Sequence, residues 1–550
     1  MNLYNLAMTG LNSSQAGLET TSHNINNATT VGYSRQRVVT STAGASATGQ
    51  GFFGRGVQVD TVKRQYDSFL YQQLVGAQGS GAQLSTQYDQ MSAINNLFAD
   101  RTVGITPALS GFFTGLNNAA SKPADPAVRQ DLLGKMNTLV TQINTSYQQL
   151  ENQRQGLNTQ ISTTVEQVNS YLGRINDLNE QIVIARGKTG HAPNDLLDQR
   201  DQAVAELNQL VGIRTYEQGE SLNISLSSGQ TLLSGKTVYP LQAVASEADP
   251  RRVAVAYSLP SGTGTTVAVE MQDGKISGGK LGGLLQFRQQ SLDAVQDQLG
   301  QLAIGLAMAL NEQHALGVDL NGDPGEALFG LPAPAAIRNS NNTSNAEWQS
   351  AYTDANQIRA SAYRIEAVGG DDYRVTRLSD GVVMDLTATG TPPDTLEFDG
   401  LTLTGTGTAV TGESWTLQAT RNAGRDLTAL ISDPTKLALA DATGGSANGN
   451  NGLELAKLQT AKVLANGTMS LNEQFSQLVN TVGVDTQSLK SSVTASNNLI
   501  KQQNAAHLSV SGVNLNEEYV NLSVYQEQYQ ASAKILDVAS VLFDTLLGIR

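Results

Sequence analysis

The chain has 550 residues, and its 35 Lys and Arg against 49 Asp and Glu leave a formal charge of −14. This acidic balance excludes a general nucleic-acid binder, because neutralising phosphates needs a basic face. Zero cysteines remove disulfides, thiolate metal sites and cysteine nucleophiles together, and no apolar stretch approaches the ~20 residues of a membrane span.

No Lys or Arg precedes Arg35 and no apolar block follows Met1, so a cleavable secretory signal is not expected. The first helix is expected from about Leu3 to Ile25. Tyr4, Leu11, Leu18 and Ile25 recur every seven residues, with small Ala7, Ser14 and Thr21 at the alternate seam positions. A seven-residue recurrence holds one stripe toward a partner helix, and small seam residues allow close approach. Asn24, Asn26 and Asn27 then favour a helix end. A Gly/Ser/Thr-rich stretch, Ser41 to Gly56, reads as a flexible loop, and Val57, Val59 and Thr61 alternate as a short strand.

Residues 61–99 read as helical. Asp125-Pro126 supplies an N-cap and a first-turn proline. Beyond it, apolar residues from Met136 through Leu157 to Ile182 keep helical spacing. A helix of some sixty residues spans roughly 90 Å, which belongs in a rod. Gly187, Gly190 and Pro193 close it, and Asn194 is expected to cap a shorter helix ending at Gly212. Residues 213–279 switch to two-residue alternation, as at Leu222, Ile224 and Leu226, and predict a small β region. A helix returns over 281–316, a second β-rich region spans about 340–422, and helical pattern resumes from Leu427, breaks at the Gly/Asn-rich loop Gly444 to Gly452 and continues to about Ala506. In the last segment Leu515, Leu522, Tyr529, Leu536 and Phe543 repeat every seven residues, joined by Tyr525, Ala539 and Leu546. The expected fold is α+β, multidomain and elongated. Paired terminal helices occupy 1–56 and 507–550, and a helical rod domain occupies 57–212, 280–335 and 427–506. The small β-rich region takes 213–279 and an outer β-rich domain takes 336–426.

The motifs that suggest chemistry are weak. Gly49, Gly51 and Gly54 satisfy G-x-G-x-x-G, but a dinucleotide site needs a strand before and a helix after. Ser277 to Lys280 matches S-x-x-K and Lys188-Thr189-Gly190 matches K-T-G, in the wrong order for a penicillin-recognising enzyme. Asp319, Asn321 and Asp323 resemble the start of an EF-hand loop, but Pro324 and Gly330 replace the required Gly and Glu, so an Asx turn is the better reading. His23, His191, His314 and His507 have no metal-ligand spacing. No catalytic residue, metal or cofactor is expected. The terminal stripes are a different matter. Ordering each residue costs ~1–2 kcal/mol of backbone entropy, while a large buried apolar side chain returns ~1.5–3 kcal/mol. Four anchors cannot order the first helix unaided. The expected assembly interface is therefore Tyr4, Leu11, Leu18, Ile25, Leu515, Leu522, Tyr525, Tyr529, Leu536, Phe543 and Leu546, packed between subunits.

Asn24-Ile25-Asn26-Asn27 followed by Val31-Gly32-Tyr33-Ser34-Arg35-Gln36 resembles the N-terminal signature of flagellar rod, hook and hook-associated proteins. Three further segments resemble the first hook-associated protein family: Asn194 to Asp201, Gln313-His314 with Gly317 to Gly322, and Gly512 to Glu518. The resemblance implies a structural subunit at the distal end of the hook, beginning the hook–filament junction, with no enzyme activity. It implies type III export and an extracellular place on the flagellum. The implied partners are further copies of the chain, hook protein, the second junction protein FlgL and a flagellar export chaperone. The competing readings are another axial protein of hook or filament type, or a wall-active enzyme on an axial scaffold.

Overall fold

In the computed structural model of the chain, residues 3–49, 51–99, 104–260, 266–389, 394–445 and 448–548 are described. Helix α1 (Leu3–Asn26) is followed by a two-tier β arm, β1 (Gln36–Thr42), β2 (Ala45–Thr48), β3 (Gly51–Gly54) and β4 (Val57–Arg64). β1 pairs antiparallel with β4 and β2 with β3. The stretch expected as a loop is thus ordered. Left-handed backbone at Gly44 (φ +81°) and Gly56 (φ +103°) turns the chain between the tiers, where Ala43 and Arg55 amides donate to the Gly56 and Gly44 carbonyls. The arm also crosses the division expected at 56/57, and it corrects the helix expected from residue 61. Thr61 to Arg64 are held in the ladder opposite Gln36 to Val39, and α2 (Ser68–Ala99) begins only after Asp67, whose carboxylate accepts from the Phe69 and Leu70 amides.

The rod is built on one long helix. After α3 (Ile105–Ser121), α4 (Pro126–Thr189) runs for 64 residues, roughly 95 Å at 1.5 Å per residue. Asp125 caps it by accepting from the Ala127 and Val128 amides, and Gly190 ends it with left-handed backbone at φ +72°. Its stripe Leu132, Met136, Leu139, Ile143, Leu150, Leu157, Ile161, Val168, Leu172 and Ile175 is fully buried, against α3, α5 (Asn194–Leu210) and the later helices. Asn194 is not the cap of α5: Pro193 precedes the helix, and the Asn194 side chain donates to the Val62 carbonyl in the arm.

The small β region holds β5 to β8 (Ile213–Gln218, Ser221–Leu226, Thr231–Ser234, Thr237–Val238) and a sheet ordered β11-β10-β9 (Thr266–Glu270, Val253–Pro260, Leu241–Ala245). The helix expected over 281–316 is α6 (Gly279–Phe287), one π turn at Arg288–Leu292, and α7 (Asp293–Ala315) in line. The outer domain pairs a five-stranded antiparallel sheet, in spatial order Ala335–Arg338, Ser414–Gln418, Tyr363–Gly369, Asp372–Arg377 and Val383–Thr387, with a three-stranded one. Trp348 and Trp415 meet edge-to-face between them, 6.3 Å apart. At its exit Arg421 donates to both oxygens of Asp297 on α7 (3.2 and 3.1 Å), a buried pair. Residues 427–443 are not helical as expected. They form a strap with two short strands, Thr428–Ala429 and Ala440–Asp441, and a 3-10 turn at Pro434–Lys436, since proline blocks helix continuation. Helix resumes at α8 (Asn450–Lys457) and α9 (Leu471–Ser511), the latter started by a Ser470/Glu473 capping box. α9 packs along α2, and α10 (Leu515–Leu547) packs along α1.

Candidate assembly site at the joint between terminal helices and rod

The two ends of the chain lie antiparallel in seven-residue steps. Asn24 faces Glu518, Gly17 faces Tyr525, and Gly10 faces Ser532. A methyl group on Gly17 would sit 2.5 Å from the Tyr525 ring, and one on Gly10 would sit 2.6 Å from Ser532 Oγ. Glycine is required by the close approach of the two helices. The buried residues of α1 are Ala7, Ser14, Gly17, Thr21 and Asn24, so the small seam faces α10. The larger stripe flanks it: Leu11, Leu18 and Ile25 are half-buried and Tyr4 is exposed. On α10, Leu522, Tyr525 and Leu536 are half-buried, while Leu515, Tyr529 and Phe543 are exposed. Leu546 lies in the helix, but its side chain is outside those described.

Where the pair meets the rod, three segments distant in sequence converge. Arg35 donates to Glu517 (2.8 Å) and Glu518 (2.7 Å) at the start of α10, and its amide donates to the Ser511 carbonyl that ends α9 (2.9 Å). Buried Asn24 donates to Glu518 (3.0 Å) and to the Gln36 carbonyl (2.8 Å), and its oxygen accepts from the Tyr33 hydroxyl (2.7 Å) and the Gln36 amide (2.8 Å). All four hydrogen-bonding sites of that side-chain amide are engaged. The Ser34 amide donates to Asp198 (2.9 Å) and Gln36 to Asp195 (2.7 Å) on α5. Arg64, at the foot of the arm, bridges Asp198 (2.8 Å) and Asp201 (2.7 Å). The Tyr71 hydroxyl donates to the Asp201 carbonyl.

The electrostatics follow from this half-buried crowding. Burial raises the Asp201 carboxyl, partly offset by Arg64 and Arg200. Burial lowers Arg64, but Asp201 and Asp198 outweigh it and hold its guanidinium more firmly charged than usual. Burial raises Tyr33, as do Asp195, Asp198 and Glu518, and burial lowers His507. Beside these contacts lies a hollow of about 750 Å³, lined by Tyr66, Gln202, His507 and Gly512 among others. Ion pairs and hydrogen bonds from three segments meet in this arrangement. It orients one helix pair on a rod. Arg64 and Tyr71 had no signal in the sequence reading, since neither sits in a periodic stripe or a quoted motif.

A family model described as the flagellar hook-associated protein FlgK helical domain matches residues 91–329. A hook-associated protein 1 D2-like domain matches 337–419, and a flagellar basal body rod FlgEFG C-terminal model matches 504–549. Flagellar hook-associated protein 1 of Salmonella typhimurium is 41% identical, with 100% of both chains covered. The chain belongs to the flagellar hook-associated protein 1 family. The Escherichia coli member is 39% identical over 100% of both chains. A solved structure of the flagellar hook junction protein FlgK from Burkholderia pseudomallei is 30% identical with a TM-score of 0.75. It covers 80% of this chain and 100% of its own.

Within this hook-associated protein 1 family member, the segment around His314 forms a second polar knot. His314 is fully buried at the end of α7. Its Nε2 accepts from the Ala438 amide (2.7 Å), so Nδ1 carries the proton and donates to the Glu326 carbonyl (2.6 Å). Burial pulls its pKa down to about 4, against a smaller rise from the Glu326 bond. The Asp319 carboxylate accepts from the Asn321 (2.7 Å) and Asp323 (3.0 Å) amides, an Asx turn. The other motifs resolve as local structure. Gly49, Gly51 and Gly54 lie at the arm tip, Lys188-Thr189-Gly190 is the last turn and cap of α4, and Ser277 to Lys280 leads into α6. Among the described residues no group of three or more His, Asp or Glu could hold a metal ion. His23 sits at the joint, 3.6 Å from Asp195, His191 follows α4, and His507 lines the hollow.

Proposed function

We propose that this chain is a structural subunit of the flagellar hook–filament junction, seated on the distal end of the hook, and that its terminal helix pair is the element that assembles. One observation carries the assembly reading: α10 carries apolar residues on two opposite sides yet is covered on only one. Leu522, Tyr525 and Leu536 turn toward α1, while Val520, Val524, Val538 and Leu542 on the far side stay exposed. A run of exposed apolar residues of this length marks an interaction surface, and neighbouring copies supply its cover. In this reading Tyr4, Leu11, Leu18 and Ile25 flank the seam and meet the next subunit, together with Leu515, Tyr529, Phe543 and Leu546. Hook protein lies on one side of the resulting ring and the second junction protein, FlgL, on the other. The chain reaches that place by flagellar export with its chaperone. Its role is mechanical and without catalysis.

Two measurements test this. Cells lacking the chain should carry hooks without filaments and release monomeric flagellin, and normal filaments on such cells would defeat the reading. Hydrogen exchange on the isolated monomer should be fast through residues 1–30 and 515–546 and slow in α4. Slow exchange through both ends would show that they need no neighbours.

A further inference from the structure

The β arm is built to leave its own subunit. From the joint at Gln36 and Arg64 it runs back along α1, where Gly56 packs against Thr9 and Leu6. Its thirteen residues from Gln36 to Thr48 reach roughly 40 Å in extended form. Beyond Gly56 the space beside its glycines is open: a methyl group on Gly44, Gly49 or Gly54 would have no neighbour within 4 Å. The outer tier carries two aromatic rings, Phe52 at 82% and Phe53 at 47% exposure. Adjacent exposed aromatics on a projecting hairpin act as anchors rather than as ordinary surface.

Charge identifies what they anchor to. In a chain of net charge −14, residues 35–64 hold Arg35, Arg37, Arg55, Lys63 and Arg64 against Asp60 alone. α10 is the mirror image, with Glu517, Glu518, Glu527, Asp537 and Asp544 against Lys534 alone. Arg35 and Arg64 are used at the joint. Arg37, Arg55 and Lys63 are exposed and have no ion-pair partner among the described residues, as is the case for Glu527 and Asp544. Height agrees with charge. Because α1 and α10 are antiparallel with Gly10 opposite Ser532, an arm tip that passes Leu6 stands level with the last turns of α10. There Val538, Val541 and Leu542 are about half exposed.

We infer that the β2–β3 tip of one copy seats on the C-terminal half of α10 in a second copy at the same height. Phe53 covers Val541 there, and Arg55, two residues further on, pairs with Asp544, one helical turn beyond Val541 on α10. This rests on the assembly reading above and adds to it a specific lateral contact, a basic arm clasping an acidic neighbouring helix. The arm thereby makes the ring continuous outside the helix seam.

The absence of native cysteine makes the test clean. Two versions, Phe53→Cys and Val541→Cys, are co-expressed in cells lacking the unmodified chain, and hook–junction complexes are isolated and oxidised. A dimer of the two versions in the complexes, absent from the secreted monomer, is expected. Incorporation of both versions without that dimer overturns the inference, as does a conjugate of Phe53→Cys with a flagellar protein other than this chain. The charge pair gives the second readout. Arg55→Asp should cut filament-bearing cells at least tenfold, and adding Asp544→Arg in the same chain should restore them. Failure of the double variant to restore overturns the pairing. If the unmodified chain itself does not restore filaments, the junction reading fails first, and that result is distinguishable from an assembled junction lacking the cross-link.

Discussion

α4 and α10 are both long helices with apolar residues at heptad-like spacing, yet one is finished within the chain and the other is not. Along α4 the stripe from Leu132 to Ile182 is almost wholly buried. Among the described side chains of α10 only Glu518 and Ala539 are buried, and most large apolar ones are 40–64% exposed. The rod therefore closes its core within the chain, whereas the terminal pair would be completed by the assembly proposed above.

Substitutions at four residues probe the contrast. Arg64→Ala strands Asp198 and Asp201 in a half-buried joint. Removing one member of a buried ion pair costs ~3–5 kcal/mol, an upper figure here, read as a lower unfolding midpoint of the rod. Leu172→Ala leaves a cavity under α4 worth ~2–5 kcal/mol, visible in the same melt. His314→Ala orphans the Ala438 amide and the Glu326 carbonyl, at ~1–3 kcal/mol each. The native residue gives a pH signature as well. An unfolded chain takes up a proton below the ordinary value of 6.5, while the folded one refuses it down to about 4. His314 therefore costs no stability above pH 6.5 and a growing amount from there toward pH 4. His314→Gln, which can still accept and donate, should flatten that slope in denaturant titrations. Last and smallest in the monomer, Leu522→Asp should shift the rod's unfolding by less than ~1 kcal/mol and still abolish filament attachment. An equal loss from Leu522→Asp and Leu172→Ala would erase the distinction between the two helices.

Much of the rod was legible because periodicity and caps are local signals. Asp125-Pro126 and Gly190 bound α4 to within a residue or two of the spacing argument. The arm was missed because Ser41 to Gly56 has few side chains to alternate. Its order comes from pairing with β4 and from glycine turns, which composition alone renders as a loop. At the seam the small residues Ala7, Ser14 and Thr21 were legible from their spacing and are buried, whereas Gly10 and Gly17, where α10 side chains come closest to α1, belong to no stripe of large residues and were passed over. The joint was hidden for a different reason. Asn24, Arg35, Asp198 and Glu518 are single polar residues separated by up to 494 positions, and no local pattern announces that they touch.

The outer domain enters and leaves side by side, with Ala335 directly across a ladder from Gln418, strands ~4.8 Å apart. Its whole excursion of sheets is joined to the shaft covalently by one doubled thread, with hydrogen bonds such as Gln301 to the Ile358 carbonyl (2.7 Å) and the Asn466 amide to the Asn356 carbonyl (2.8 Å) beside it. Insertions or deletions at strand ends beyond those contacts edit a single stretch of gene and leave the helices of the shaft in place.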